Sequence, residues 1–456
     1  MMKHLWDANT PEAFWQLETA VPPEVWQAAI AEAAVTLCLP GNVTAMSDLL
    51  MMTLGEGQFG AAHFEPPTSI RLYYHVKSYV PHGLIMLLRR ALGRRQQSRF
   101  LLGWPHEDRY ARFLWRVMRG VLVRSGCSEL GYRPFWPGGA RFALVLTHDV
   151  ETARGMDYVR AVADMDEAHG FRSCFNLVPE RYPIDGALVD ELRRHGFEVG
   201  IHGLTHDGRL FTSHRLFAER AARINHYLHA YGAVGFRAPF VMRHPQWLQA
   251  LDVEYDASFF DTDPYQPVPG GTMSLWPFFL GRFVELPYTL SQDCVLDSIL
   301  HQRTPEIWLR KVELIARYRG MALVNTHPDY LSSPTCGELY RQFLAAMRVR
   351  HDAWHALPYE VARWWRQRAA PEAVPEVWGS LTPDAAGGLL VDGVAETGEG
   401  HRPGHEPSHL PSDPSVGRDV CPAGRRFQAP GRATSVAEES AQSPNGMSGG
   451  AASEYS

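Results

Sequence analysis

From residue 141 to 365 the chain alternates short apolar runs, polar turns and stretches of helical spacing, and that alternation constrains the fold more than anything else. Strand-like runs fall at 142–146, 173–178, 198–201, 234–236, 254–258, 283–286 and 321–325. Between them, helical spacing occupies 157–169, 187–195, 213–231 and 305–318, and Gly170, Gly196, Gly232 and Gly320 stand where those helices should stop. Strands separated by helices are joined by crossovers, so neighbouring strands run parallel. The expectation is an α/β domain with a largely parallel sheet or barrel. In such folds reactive groups gather at the carboxyl ends of the strands.

The expected strand ends carry reactive groups. After Phe197-Glu198-Val199 comes Gly200-Ile201-His202-Gly203-Leu204-Thr205-His206, two imidazoles four residues apart. The preceding strand and Gly203 argue against a helix here, so the pair reads as a loop able to aim two neutral nitrogens at one divalent cation. With 21 histidines in the chain, one such pair could arise by chance, and it gains weight only from partners. The run Leu144-Val145-Leu146-Thr147-His148-Asp149-Val150-Glu151 supplies carboxylates. A period of two points Asp149 and Glu151 to the same side if the strand persists that far. Arg237 follows the strand at 234–236, and His327 follows the one at 321–325. Asp261 and Asp263 add carboxylates nearby. Each has an ordinary reading as well: Asp149 as a turn cap, Arg237 as a structural ion pair, His327 as a satisfied turn residue. Jointly, at successive strand ends, those readings lose ground.

The rest of the chain differs in character. Its 456 residues allow two or more domains. Residues 1–135 read as a smaller, mostly helical region, with helices expected at 22–34 and 104–121. Residues 79–97 read as a basic amphipathic helix around Arg89, Arg90, Arg94 and Arg95, suited to peripheral contact with an anionic membrane surface. The ordinary reading is a domain helix with a solvated basic end. Residues 388–456, rich in Gly, Pro, Ser and Glu, read as a disordered tail, and His401, His405 and His409 as solvated within it. A net charge of -6 gives no case for nucleic-acid binding. The six cysteines (Cys38, Cys127, Cys174, Cys294, Cys336 and Cys421) have no C-x2-C spacing, which suits a reducing compartment. Asp7 and Glu12 sit where a secretory leader would be apolar, so a cytoplasmic location, peripheral to the inner membrane, is expected.

Over about residues 141–365 the motifs resemble the NodB-homology polysaccharide deacetylases, carbohydrate esterase family 4. The most specific piece is the segment ending His202-Gly203-Leu204-Thr205-His206, similar to the family's metal-binding H-[ST]-x2-H, with Gly203 in place of Ser or Thr. Gly235-Phe236-Arg237-Ala238-Pro239-Phe240 looks like its R-x-P-[YF] segment, and Leu323-Val324-Asn325-Thr326-His327 like its last strand. The resemblance implies an irregular (β/α)7 barrel over 141–368 that removes N-acetyl groups from a sugar or polysaccharide intermediate. It implies a divalent metal, Zn²⁺ with Co²⁺ or Mn²⁺ as alternatives. The first motif departs: the family's adjacent acids are separated here, similar to a D-x-[DE] variant. On that alignment Asp149 is the base and Glu151, His202 and His206 hold the metal. The alternative gives the metal to Asp149.

The chemistry of amide hydrolysis distributes the remaining roles. Arg237 would hold Asp149 ionised, His327 would protonate the departing nitrogen, and Asp261 or Asp263 would tune His327, with Asp263 taken into the catalytic set. Phe240, Phe259, Tyr265 and Trp276 are either sugar-stacking rings or core. Two further readings stay open: an amidohydrolase acting on a small linear or cyclic amide, and a non-catalytic carbohydrate-binding protein.

Overall fold

The computed structural model describes residues 2–41, 43–65, 93, 95–372, 374–384 and 388–395. Among these, strands β1 (Leu130–Tyr132), β2 (Phe142–Val150), β3 (Cys174–Leu177), β4 (Glu198–Ile201), β5 (Gly235–Phe236), β6 (Tyr255–Asp256), β7 (Phe278–Leu280), β8 (Phe283–Glu285), β9 (Met321–Thr326) and β10 (Ala353–His355) succeed one another along the chain, followed by β11 (Gly379–Pro383), β12 (Leu389–Val391) and β13 (Val394–Ala395).

β2 organises the α/β part. All nine of its residues are buried, as an apolar run flanked on both edges should be. β9 pairs with it in parallel from Ala143 to His148. On its other edge β10 covers its start and β3 its end, both parallel. The parallel order continues through β3, β4, β5, β6 and β8. The chain beyond β8 then swings back to β9: Leu290 bridges Val324 in parallel, and the Leu323 carbonyl accepts from the N–H groups of Thr289 and Leu290, each at 3.1 Å. Seven parallel strands (β2, β3, β4, β5, β6, β8 and β9) thus follow one another round a ring, with β7 antiparallel on β8. The α/β expectation holds.

Caps explain where the helices begin. Thr152 accepts the N–H of Gly155 and opens the helix Ala153–Ala168 four residues earlier than its apolar spacing suggests. Asp185 and Ser213 cap Gly186–Arg194 and His214–Ala230 in the same way. The helix expected at 104–121 is shifted to Arg109–Ser125. Ahead of it, the Glu107 carboxylate accepts the N–H groups of Gly103 (2.8 Å) and Arg109 (3.0 Å), which holds 103–108 as a loop.

The described part of residues 1–135 shares one continuous hydrophobic core with the ring. Trp115 on the helix Arg109–Ser125 stacks on Trp276 at 5.7 Å, and Trp15 meets Trp115 at 4.8 Å. Asn9 pairs with both the N–H and the carbonyl of Phe279 on β7, at 2.7 and 2.8 Å. Of the basic helix expected at 79–97, only Gly93 and residues 95–97 are described; the rest lies outside the described residues, as do His401, His405 and His409.

Two expectations need correction. Residues 388–395 are not part of a structureless tail, because β12 pairs with β11 and β13 with β12, and β11 pairs with β1. Leu389 and Val391 are buried by that pairing, which a composition-based reading of a Gly-rich stretch overlooks. Cys127, Cys174, Cys294 and Cys336 form no disulfide, but Cys38 is disulfide-bonded. No helix among the described residues is long and apolar enough to cross a membrane.

Candidate metal centre and active site

The end of β2 presents its residues alternately. His148 turns outward, its ring nitrogens meeting Thr326 Oγ1 at 2.7 Å and Asp166 at 3.0 Å. Asp149 and Glu151 turn inward together. His202 follows β4 directly and His206 lies four residues on, with its backbone in the left-handed region at φ 51°. Gly203, also left-handed at φ 67°, makes that turn possible: a Cβ there would meet Pro239 Cγ at 2.3 Å. This accounts for the glycine in place of Ser or Thr.

One ligand atom each from Glu151, His202 and His206 lies within 4.8 Å of the others. His202 Nδ1 faces the Arg237 carbonyl at 3.0 Å, an acceptor only, so this nitrogen carries the hydrogen and Nε2 presents a lone pair inward. Burial first of all, reinforced by His206 against the pull of Asp149, lowers the His202 pKa to about 4, which keeps the ring neutral at pH 7. Nε2 of His202 and Nε2 of His206 are buried with no hydrogen-bond partner among the described residues, although Glu151 Oε1 stands 3.0 Å from the latter. Buried polar atoms are normally paired. An unpaired His202 lone pair converging with His206 and a carboxylate is a donor set suited to a divalent cation, and zinc in particular accepts two His and one carboxylate.

Asp149 is held differently. Oδ1 accepts from Asn176 Nδ2 at 2.9 Å and from Arg237 at 3.1 Å, and Oδ2 accepts from Asn325 Nδ2 at 2.8 Å. Burial pushes this carboxyl up, but His202, Arg237 and His327 outweigh it and hold the group well below its ordinary range. Arg237 is fully buried and its Nη1 also donates to Thr147 Oγ1 and Asn325 Oδ1, at 2.8 and 2.7 Å. Between the two carboxylates left open as metal ligand, Glu151 is the one grouped with both histidines, while Asp149 is engaged by three donors.

His327 does not meet Asp261 or Asp263. Asp261 is paired with Lys311. Asp263 accepts from Tyr288 at 2.8 Å, Gln266 at 2.7 Å and the Tyr265 N–H at 2.8 Å, and so leaves the catalytic set. The partner of His327 is Asp293, 2.6 Å from Nδ1. Burial pulls the His327 pKa down, but Asp293 above all, then Glu151 and Asp149, raise it to about 10. A cation bound at Glu151 would neutralise that carboxylate, leaving Asp293 as the main support of the imidazolium. His327 Nε2 points inward, 3.8 Å from Glu151 Oε1.

These groups share a cleft with Phe240, Val241, Gln266, Pro267, Gln292, Cys294 and Tyr330. Of the four aromatic candidates, only Phe240 lines it. Phe259 and Trp276 are wholly buried core, and Tyr265 is buried against Trp104. Asp293, Asn176 and Asn325 were not singled out from the sequence. A polar residue inside an apolar strand, as in Cys174-Phe175-Asn176-Leu177, is a usable signal for a buried network. Asp293 would have been found by extending the strand at 283–286 through Leu290 to its polar end.

No protein-family model matches the chain, and no curated protein matches it. Solved structures do. A polysaccharide deacetylase from Mycobacterium smegmatis is similar at 18% identity over 53% of this chain and 97% of its own, with a TM-score of 0.42. The Puue allantoinase is similar at 13% identity over 53% and 95%, with a TM-score of 0.43. A polysaccharide deacetylase from Pseudomonas aeruginosa PAO1 is similar at 12% identity over 53% and 96%, with a TM-score of 0.42. Each of these likenesses spans about half of this chain and nearly all of the other.

Proposed function

We propose that the chain is a metal-dependent hydrolase that removes N-acetyl groups from a sugar or polysaccharide intermediate on an irregular (β/α)7 barrel of the NodB-homology type. The observation that carries this reading is the convergence of Glu151, His202 and His206, with the buried His202 Nε2 unpartnered beside the 3.0 Å contact of His206 Nε2 and Glu151. Those three residues would hold the metal, Zn²⁺ by preference, with Co²⁺ or Mn²⁺ as substitutes. A metal held there would supply Lewis acidity toward the acetamide carbonyl and the attacking water. Asp149, oriented by Arg237, Asn176 and Asn325, receives the proton of the attacking water. His327, kept protonated by Asp293, delivers a proton from Nε2 to the departing nitrogen. Phe240 and Tyr330 form apolar walls on which a sugar face can rest.

Acetate release from several acetamido sugars, with Zn²⁺, Co²⁺ or Mn²⁺ added, tests this reading. No release from any of them would count strongly against it. A second reading, hydrolysis of a small linear or cyclic amide, is favoured by the close burial of Asp149, His202, His206 and His327, which suits a compact substrate. Ureides and cyclic imides offered to the same protein separate the two. A purely binding role fits poorly with an acid and a base each held by its own buried partner.

A further inference from the structure

Phe240 and Val241 form part of the cleft wall with left-handed backbones, φ 58° and 44°. A β-branched residue in that region is a steric outlier, and such strain persists only where the surroundings impose it. The turn matters to the site because the Phe240 ring lies 4.2 Å from the ring of His206. Beyond its own backbone bonds the turn is braced by Arg243, which is fully buried and donates through Nη1 to the Val241 carbonyl at 3.0 Å.

The rest of the Arg243 fork is taken by a residue 187 positions earlier in the chain. Nε donates to Glu56 Oε2 at 2.7 Å and Nη2 donates to Oε1. Glu56 is itself fully buried, and its Oε1 also accepts the Gly271 N–H at 2.6 Å. The guanidinium lies over the Phe260 and Phe259 rings, at 4.3 and 5.2 Å. A Cβ on Gly270 would come within 2.3 Å of Glu56 Oε1, so the clamp leaves no slack. A planar fork gripped on two nitrogens has its third direction fixed, and here that direction is the Val241 carbonyl.

We propose that Glu56 is a positioning residue: through Arg243 it fixes the Phe240–Val241 turn against His206, which gives the N-terminal region a part in shaping the active site. The kinetic consequence rests on the hydrolase reading above; the structural one does not.

Hydrogen–deuterium exchange on the full-length protein tests the structural part. In Glu56→Gln and Arg243→Lys, exchange across residues 238–244 should rise at least tenfold, while residues 142–150 stay within twofold of the wild type. Should either variant fold poorly, the double variant Glu56→Met/Arg243→Met replaces the pair by apolar groups of similar volume and should show the same local rise. No rise at 238–244, or an equal rise at 142–150, overturns the proposal. In the kinetic arm kcat should fall about tenfold, with KM within twofold and zinc content per chain unchanged. An unchanged kcat in the zinc-loaded variants also overturns it. If the local rise is seen but the wild type hydrolyses no amide, the hydrolase reading falls and the clamp stands.

Discussion

Asp293 holds His327 twice, taking the ring Nδ1 at 2.6 Å on one oxygen and the backbone N–H at 2.8 Å on the other. The double contact fixes both the position and the charge of the imidazole.

Replacing this carboxylate should therefore move the pH profile. His327 has its pKa raised to about 10, so it is protonated through neutral pH and loses its proton only as pH rises through that value. In Asp293→Asn the alkaline limb of kcat should move to lower pH. At pH 8 the rate should drop on the order of 10²-fold, the usual worth of a positioned general acid. An alkaline limb that stays in place would remove Asp293 from this role.

His206→Ala should empty the metal centre. The expected outcome is loss of stoichiometric zinc by elemental analysis, with activity lost in parallel. Survival of both would mean that the ligand set is wrongly assigned.

Gly203→Ala probes the turn between the two histidines. The left-handed backbone and the 2.3 Å approach to Pro239 leave no room for a methyl group. The variant should lose about 1–3 kcal/mol of stability in urea titrations and bind zinc more weakly than the wild type.

Arg237→Met should leave the Asp149 charge buried without its cation. Breaking a buried pair on one side costs about 3–5 kcal/mol, which urea unfolding would register. Activity should fall as well, because Asp149 loses one of its three donors.

Acid stability should depend on Glu56. Burial raises its carboxyl pKa, but Arg243 and His63 outweigh this and bring it down from 4.5 to about 2. A folded-state pKa below the unfolded one contributes stability that is present above about pH 4.5 and lost as pH falls toward 2. The contribution is about 3 kcal/mol. In Glu56→Gln the decline of the urea midpoint between pH 5 and pH 3 should be shallower than in the wild type. An identical slope would show that Glu56 carries none of it.

Much of the site was legible because strand period and strand order are local properties. Alternation along β2 put Asp149 and Glu151 on one side, and the strand–loop reading at 198–206 put both histidines at a strand end. Partner choice was not legible in the same way. Asp261, Asp263 and Asp293 all lie beyond strand-like runs, and none of their local sequences names its partner. Which of them reaches His327 depends on how the chain beyond β8 bends back to β9, a contact between residues 34 positions apart. Packing across residue 135 was illegible for a related reason: composition changes there, but Trp115 stacks on Trp276 across it.

The seam between Leu290 and Val324 gives His327, the proposed proton donor, a vulnerability that the proposed metal ligands do not share. Asp293 lies just beyond one side of the seam and His327 just beyond the other, so their double contact also rivets the ring shut. Glu151, His202 and His206 all come from the continuously paired side. On the proposed reading, warming that loosens the seam first would part His327 from Asp293 while Glu151, His202 and His206 stay together, yielding a protein that still binds metal but has fallen silent.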